Sequence, residues 1–198
     1  MRPHQAVLLA ATAITIAVTA AFVLYGDRDS RKYGAAAIGG PFTLSDQSGR
    51  SLTEKDLKGS YSLIYFGYTF CPDVCPTGLQ VMSNAMDQLQ TEMQQKIKPV
   101  FITIDPERDT VDQLKSYLGN FHPRIIGLTG TEKQIAEVTR AYRVYYAKAK
   151  GSEGKRDYLM DHSSIIFLMN PEGKYVNHFT HMTAADNLAA TLRLNIGN

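Results

Sequence analysis

Tyr65-Phe66-Gly67-Tyr68-Thr69-Phe70-Cys71-Pro72-Asp73-Val74-Cys75-Pro76-Thr77 holds both cysteines of the chain, four residues apart, where an apolar run at residues 63–66 gives way to a helical pattern from Leu79 onward. A strand that ends in a loop opening a helix brings an exposed strand end beside the unpaired N–H groups of the helix, and α/β proteins carry chemistry there. Pro76 suits the first helical position, where a missing N–H costs nothing, so Cys75 is expected at or near the N-cap, where the helix dipole favours a thiolate. The spacing C-x-x-x-C is one residue longer than the C-x-x-C of thioredoxin-like redox proteins, and it leaves the sulfurs within reach of one metal ion or of each other. A bridge serving only as a staple would close a loop of about five residues and contribute roughly 2 kcal/mol. That is a poor use of the two cysteines, which leaves metal binding, redox chemistry, or both.

The surrounding chain has 198 residues, 44% of them hydrophobic, enough for one domain with a full core and some length to spare. Its formal charge is +2 and no run of Lys or Arg exceeds two residues, so nucleic acid is not an expected partner. The spare length is at the N-terminus, where residues 6–25 carry no formal charge and match the roughly 20 apolar residues a membrane-spanning helix needs. Val18-Thr19-Ala20 resembles a signal-peptidase site, yet the apolar run continues through Phe22, Val23 and Leu24, so an uncleaved anchor over residues 1–26 is expected. Arg28, Arg31 and Lys32 after the span outnumber Arg2 before it, a small bias against an N-inside orientation that a long translocated domain overrides. With five residues before the span there is no room for a mitochondrial transit peptide, and a bacterial inner-membrane protein with its soluble domain in the periplasm is the expected placement. Residues 27–40, ending in Gly34-Ala35-Ala36-Ala37-Ile38-Gly39-Gly40, form a flexible linker, and residues 41–198 the folded domain.

Within that domain, residues 41–44 predict a short strand with a turn, then one helical turn ending near Gly59; residues 61–66, apolar at nearly every position, predict a central strand covered on both faces. Leu79, Met82, Met86, Leu89 and Met93 predict one long helix with a narrow apolar stripe, read as core packing rather than as a methionine copper array. Residues 99–104 predict a second buried strand, ending in the charged loop Asp105-Pro106-Glu107-Arg108-Asp109, which shares a sheet edge with the cysteines if the two strands run parallel. Capping boxes at Thr110–Gln113 and Thr131–Gln134 start two further helices, to about Phe121 and Arg140, on either side of a short strand at 125–129. A strand at 144–147, a polar loop at 151–156, a hairpin formed by 163–169 and 175–179, and an amphipathic helix over 183–194 complete an α/β sandwich around one sheet.

Two thiolates leave most metals short of ligands, so the five histidines are searched for a third. His4 lies before the span; His122, His178 and His181 are expected at the surface. His162, in Asp161-His162-Ser163-Ser164 directly before an apolar strand, is the candidate, with Asp161 placed to orient its imidazole and Asp105 as a further supporting group.

The cysteine stretch, the loop Ile104-Asp105-Pro106-Glu107-Arg108-Asp109 and the run Asp157-Tyr158-Leu159-Met160-Asp161-His162-Ser163 together resemble the Sco/SenC family of copper metallochaperones for cytochrome c oxidase assembly. The resemblance covers roughly residues 39–195, and the N-terminal anchor looks like that of the bacterial members. It implies a thioredoxin-like fold, a copper ion held by Cys71, Cys75 and His162, and delivery of that copper to the dinuclear centre of oxidase subunit II. Another periplasmic copper chaperone or a thiol reductase would be a further partner. The alternative is a thiol–disulfide reductase, with Cys71 and Cys75 as its redox-active pair, that keeps the copper-site cysteines of the oxidase subunit reduced. A peroxidase using one thiol to attack and the other to resolve is a weaker third. Against a general oxidoreductase, no proline stands before the 165–169 strand, where thioredoxin-like reductases place a cis-Pro beside the cysteines.

Overall fold

Strand β3 (Tyr61–Gly67) is the centre of the sheet, buried from Ser62 to its end. Apolar side chains on both of its faces match a strand covered by helices on either side. It pairs in parallel with β4 (Ile97–Thr103) and antiparallel with β8 (Ile165–Met169). Beyond β4 come β5 (Ile126–Thr129), β1 (Thr43–Asp46) and β2 (Ser51–Thr53); beyond β8 comes β9 (Tyr175–Thr180), giving the order β2-β1-β5-β4-β3-β8-β9. This is a mixed sheet with flanking helices, the thioredoxin-like α/β arrangement expected. Because β3, β4 and β5 are parallel, the loops leaving β3 and β4 emerge on one edge, and the cysteines and the charged loop meet there.

The computed structural model describes residues 38–150 and 158–197; the expected anchor, the linker up to residue 37 and the polar loop at 151–156 lie outside these residues. Among the described residues, no helix is long and apolar enough to cross a membrane. Ile38 packs against the core and Gly39 N–H donates to Ala141 O at 3.0 Å, so the end of the expected linker is tied onto the domain.

The helices are α1 (Glu54–Leu57), α2 (Val74–Asp87), α3 (Thr91–Gln95), α4 (Val111–Leu118), α5 (Glu132–Tyr142) and α6 (Ala185–Ile196). Asp73 is the N-cap of α2, so Cys75 sits inside the first turn rather than at the cap. Pro76 is tolerated as the third helical residue because N–H groups of the first turn have no intrahelical acceptor to lose. The methionine stripe is divided between two helices: the chain leaves α2 after Asp87, and the Gln94 side chain donates to Met86 O and Leu89 O at 2.9 and 3.0 Å. Those bonds satisfy carbonyls that a continuous helix would have used. Met82 and Met86 are fully buried and Met93 packs against the core, as core residues rather than a metal array.

The Thr131 capping box at α5 is complete. At α4, Thr110 accepts from Gln113 N, but the Gln113 side chain reaches across to Thr69 Oγ1 at 3.0 Å instead of returning to the cap. A two-stranded ribbon of β6 (Tyr146–Lys148) and β7 (Met160–His162) stands apart from the main sheet.

Candidate metal centre

The loop between β3 and α2 is anchored from below. Thr69 donates its backbone N–H and its hydroxyl to Asp109, at 3.0 and 2.6 Å, and Thr103 Oγ1 donates to the same carboxylate at 2.6 Å. Asp109 is fully buried, and burial pushes its carboxyl up against the opposing pull of these hydrogen bonds. Cys71 N–H then turns back onto Tyr68 O, and Cys75 N–H points at Cys71 Sγ at 3.4 Å. Cys71 is 8% exposed and Cys75 fully buried. Close packing behind Cys75 requires glycine at the end of β3, since a Cβ on Gly67 would lie 2.8 Å from Cys75 Sγ.

His162 arrives from the ribbon, its imidazole Nε2 3.3 Å from Cys75 Sγ. The ligand atoms of Cys71, Cys75 and His162 all lie within 4.8 Å of one another, the one such group of three His, Cys, Asp or Glu residues among the described residues. His162 Nδ1 lies 3.3 Å from Ser163 O. A carbonyl only accepts, which assigns the proton to Nδ1 and leaves the Nε2 lone pair facing the sulfurs. The Tyr68 ring meets the imidazole edge-on at 5.9 Å, and its hydroxyl accepts from Met160 N–H at 3.1 Å, joining the cysteine loop to β7.

The two sulfurs are unequal. A hydrogen bond from Cys75, with further help from the Asp73 and Cys75 backbone, holds the Cys71 thiol far below the usual thiol range in spite of burial. Cys75, donating to that thiolate and buried beneath it, is pushed up. The metal-free centre is therefore one thiolate and one thiol, with an imidazole ready to take a ligand's place.

Asp161 is exposed and pairs with Ala147, on the face of β7 opposite His162, so the group facing the imidazole Nδ1 is the Ser163 carbonyl. Asp105 is buried and bonded to Arg108 and to the Tyr158 hydroxyl rather than to a candidate ligand. His122 departs from the surface position expected of it: it is buried, its backbone N–H donates to Ser83 Oγ at 3.0 Å and its Nε2 lies 3.6 Å from Asp87. His178 is exposed against Tyr175, and His181 is half-buried after β9. Asp109 belongs to the charged loop expected at this edge, though Asp105 rather than Asp109 was singled out in it; the part Tyr68 plays had no signal but its place on the segment leaving β3.

Residues 30–196 match the family model described as SCO1/SenC. "Protein SCO2, mitochondrial" of Saccharomyces cerevisiae is 45% identical over 148 residues, covering 75% of this chain and 49% of that protein, so the chain spans about half the yeast relative's length. The SCO2-like protein of Rickettsia conorii is 50% identical over 142 residues, covering 72% of this chain and 69% of the relative. The solved structure of Bradyrhizobium japonicum ScoI with copper bound superposes with a TM-score of 0.73 at 44% identity, covering 80% of this chain and 99% of that one. A family model that takes in almost the whole folded domain, with relatives this similar on either side, leaves one conclusion: the chain belongs to the SCO1/SenC family.

Proposed function

We propose that this chain is a copper chaperone that binds one copper ion through Cys71, Cys75 and His162 and passes it to the dinuclear copper centre of cytochrome c oxidase subunit II. The observation that carries the reading is the convergence of two sulfurs and one imidazole nitrogen within 4.8 Å at a sheet edge. Thiolates select cuprous copper, and an imidazole beside them lets the same site accept the cupric form. A structural zinc site normally supplies four protein ligands; three donors leave the ion open to a partner's ligands. Copper bound in the Bradyrhizobium relative supports the choice of cargo. Delivery then proceeds by ligand exchange: incoming thiolates or imidazoles replace His162 and the two sulfurs in turn, and the protein supplies position rather than an acid or base.

In this reading residues 1–26 anchor the chain in a bacterial inner membrane, residues 27–40 form the linker, and the domain works in the periplasm. A further copper chaperone or a thiol reductase would load or reduce it.

The asymmetry of the thiols favours a second activity on the same residues. Cys71 as thiolate would attack a partner's disulfide to form a mixed disulfide, and Cys75 would release it, leaving Cys71 and Cys75 oxidised and the partner reduced by two electrons. The two readings part at His162, a ligand with no part in that exchange.

The test is a titration of the reduced full chain with copper under anaerobic conditions, wild type against His162→Ala. One copper per chain, with a thiolate-to-copper charge-transfer band in the cupric form that the variant loses or alters, supports the chaperone. Binding unchanged in the variant, or absent from wild type, shifts the function to the dithiol. In cells, His162→Ala is expected to abolish oxidase assembly while disulfide exchange persists.

A further inference from the structure

We infer that Arg108 is a positioning residue that holds the His162 arm against the cysteine loop and thereby sets how tightly the imidazole joins the metal, an inference that rests on the copper reading above. Three separated segments meet at the centre: the cysteine loop, the loop after β4, and β7. The Arg108 side chain, 13% exposed, touches all three. Its Nε donates to Asp105 at 2.5 Å within its own loop. Its Nη1 donates to Tyr158 O at 2.9 Å, two residues before β7 begins. Its guanidinium lies 3.6 Å from the centre of the Tyr158 ring and 4.6 Å from that of Phe70, the neighbour of Cys71.

The His162 arm depends on such ties because packing beneath the ribbon is incomplete. A cavity of about 250 Å³, lined by Ile104, Ile135, Tyr146 and Met160 among others, separates the ribbon from the end of β4 and from α5. Polar links cross to the ribbon and its approach from Met160 N–H to Tyr68, from the Tyr158 hydroxyl to Asp105 and Glu107, from Lys148 to Glu107, and from Arg108 to Tyr158 O. The Lys148–Glu107 link is solvent-exposed and worth little. Of the residues in these links, Arg108 also reaches Phe70, the residue beside Cys71. A flat guanidinium stacks on rings and donates from several nitrogens at once, which a lysine ammonium cannot do. Without it the cysteines keep their own supports, namely Asp109 and the first turn of α2, whereas the His162 arm is left to the Tyr68 contacts and the Tyr158 hydroxyl and loses its tie to the residue beside Cys71.

The experiment is a competition titration of the full chain with cupric copper against a chelator, comparing wild type, Arg108→Gln and Arg108→Lys. Removing a group that orients a metal ligand costs about 10–100-fold in affinity, and that loss, with a weakened or shifted charge-transfer band, is expected for both variants. Arg108→Lys keeps a cation for Asp105, so a folding defect does not account for its loss; full rescue by lysine would overturn the inference. In a His162→Ala background Arg108→Gln is expected to cost nothing more, because its effect travels through the imidazole. The same loss in both backgrounds, or undiminished binding with an unaltered band, overturns it. In the metal-free chain the His162 imidazole NMR signals are expected to move in Arg108→Gln, and signals that stay in place also overturn it. Wild type that takes up no copper sinks the copper reading instead, a result distinguishable from all of these.

Discussion

Cys71 and Cys75 are four residues apart in sequence and opposite in character, and the difference is a prediction. A free thiol loses about tenfold in alkylation rate for each pH unit below its pKa of roughly 8.5, because only the thiolate reacts. Cys71, held as thiolate by Cys75 and backbone N–H groups, is expected to react with iodoacetamide at a nearly constant rate from about pH 8 to about pH 5, with Cys75 unmodified. Mass mapping of the labelled cysteine at each pH checks this; a tenfold fall per unit at Cys71 would refute the thiolate. The same shift is linked to stability. Cys71 is lowered in the folded state, so its contribution is complete above the ordinary thiol range and is lost as pH falls toward the folded value. Cys75 is raised, so its effect runs the other way and appears only above the ordinary thiol range. The candidate ligands were legible at this scale because their residue types and motifs are local. The burial of His122 was not, since Ser83 and Asp87, its partners, lie on α2 and nothing beside Pro123 announces them.

At the scale of elements, the site exists because α2 can lie close against β3. Gly78 on α2 faces the Tyr65 ring so tightly that a Cβ there would stand 2.7 Å from Cζ, and Tyr65 OH donates to Val74 O at 3.0 Å to hold the first turn down. Gly78→Ala must push the helix or the ring aside. Overpacking of this kind costs roughly 1–3 kcal/mol, of which the better helix propensity of alanine returns about 1 kcal/mol. A net loss of up to about 2 kcal/mol in urea unfolding is expected, with copper affinity reduced as the first turn shifts; a stabilised variant would show that helix and strand are less tightly opposed. The main strands could be read from sequence because burial on both faces leaves an unbroken apolar run. The break between α2 and α3 could not, because Leu89 and Met93 keep helical spacing across it and the side chain that satisfies the break, Gln94, comes later in the chain. Strand β7 was missed for a similar reason: Met160-Asp161-His162 is too short to show alternation, and its partner is β6, across the 151–156 loop.

For the whole molecule, the consequence is that two candidate ligands are local and the third is not: His162 stands 87 residues from Cys75. The three motifs were visible in order along the chain, but their meeting depended on β3 and β4 running parallel with β8 on the far side of β3, a topology that side-chain pattern leaves open. An unfolded chain still carries Cys71 and Cys75 side by side and can bind cuprous copper through them, whereas the three-ligand set exists only after folding. A ligand stabilises the native state only by its preference for that state over the unfolded one. Cupric copper, which draws on the imidazole, is therefore expected to raise the melting temperature more than cuprous copper at equal saturation. Free metal at 100 times Kd contributes about 2.7 kcal/mol when the unfolded chain does not bind, or roughly 5–10 °C for a protein of this size. Scanning calorimetry of the reduced full chain, run anaerobically with each form, measures both shifts. In His162→Ala the cupric shift should fall to the cuprous one or below it. Equal shifts for the two forms in wild type would mean that His162 adds nothing to the bound state and that the cysteine pair alone holds the ion.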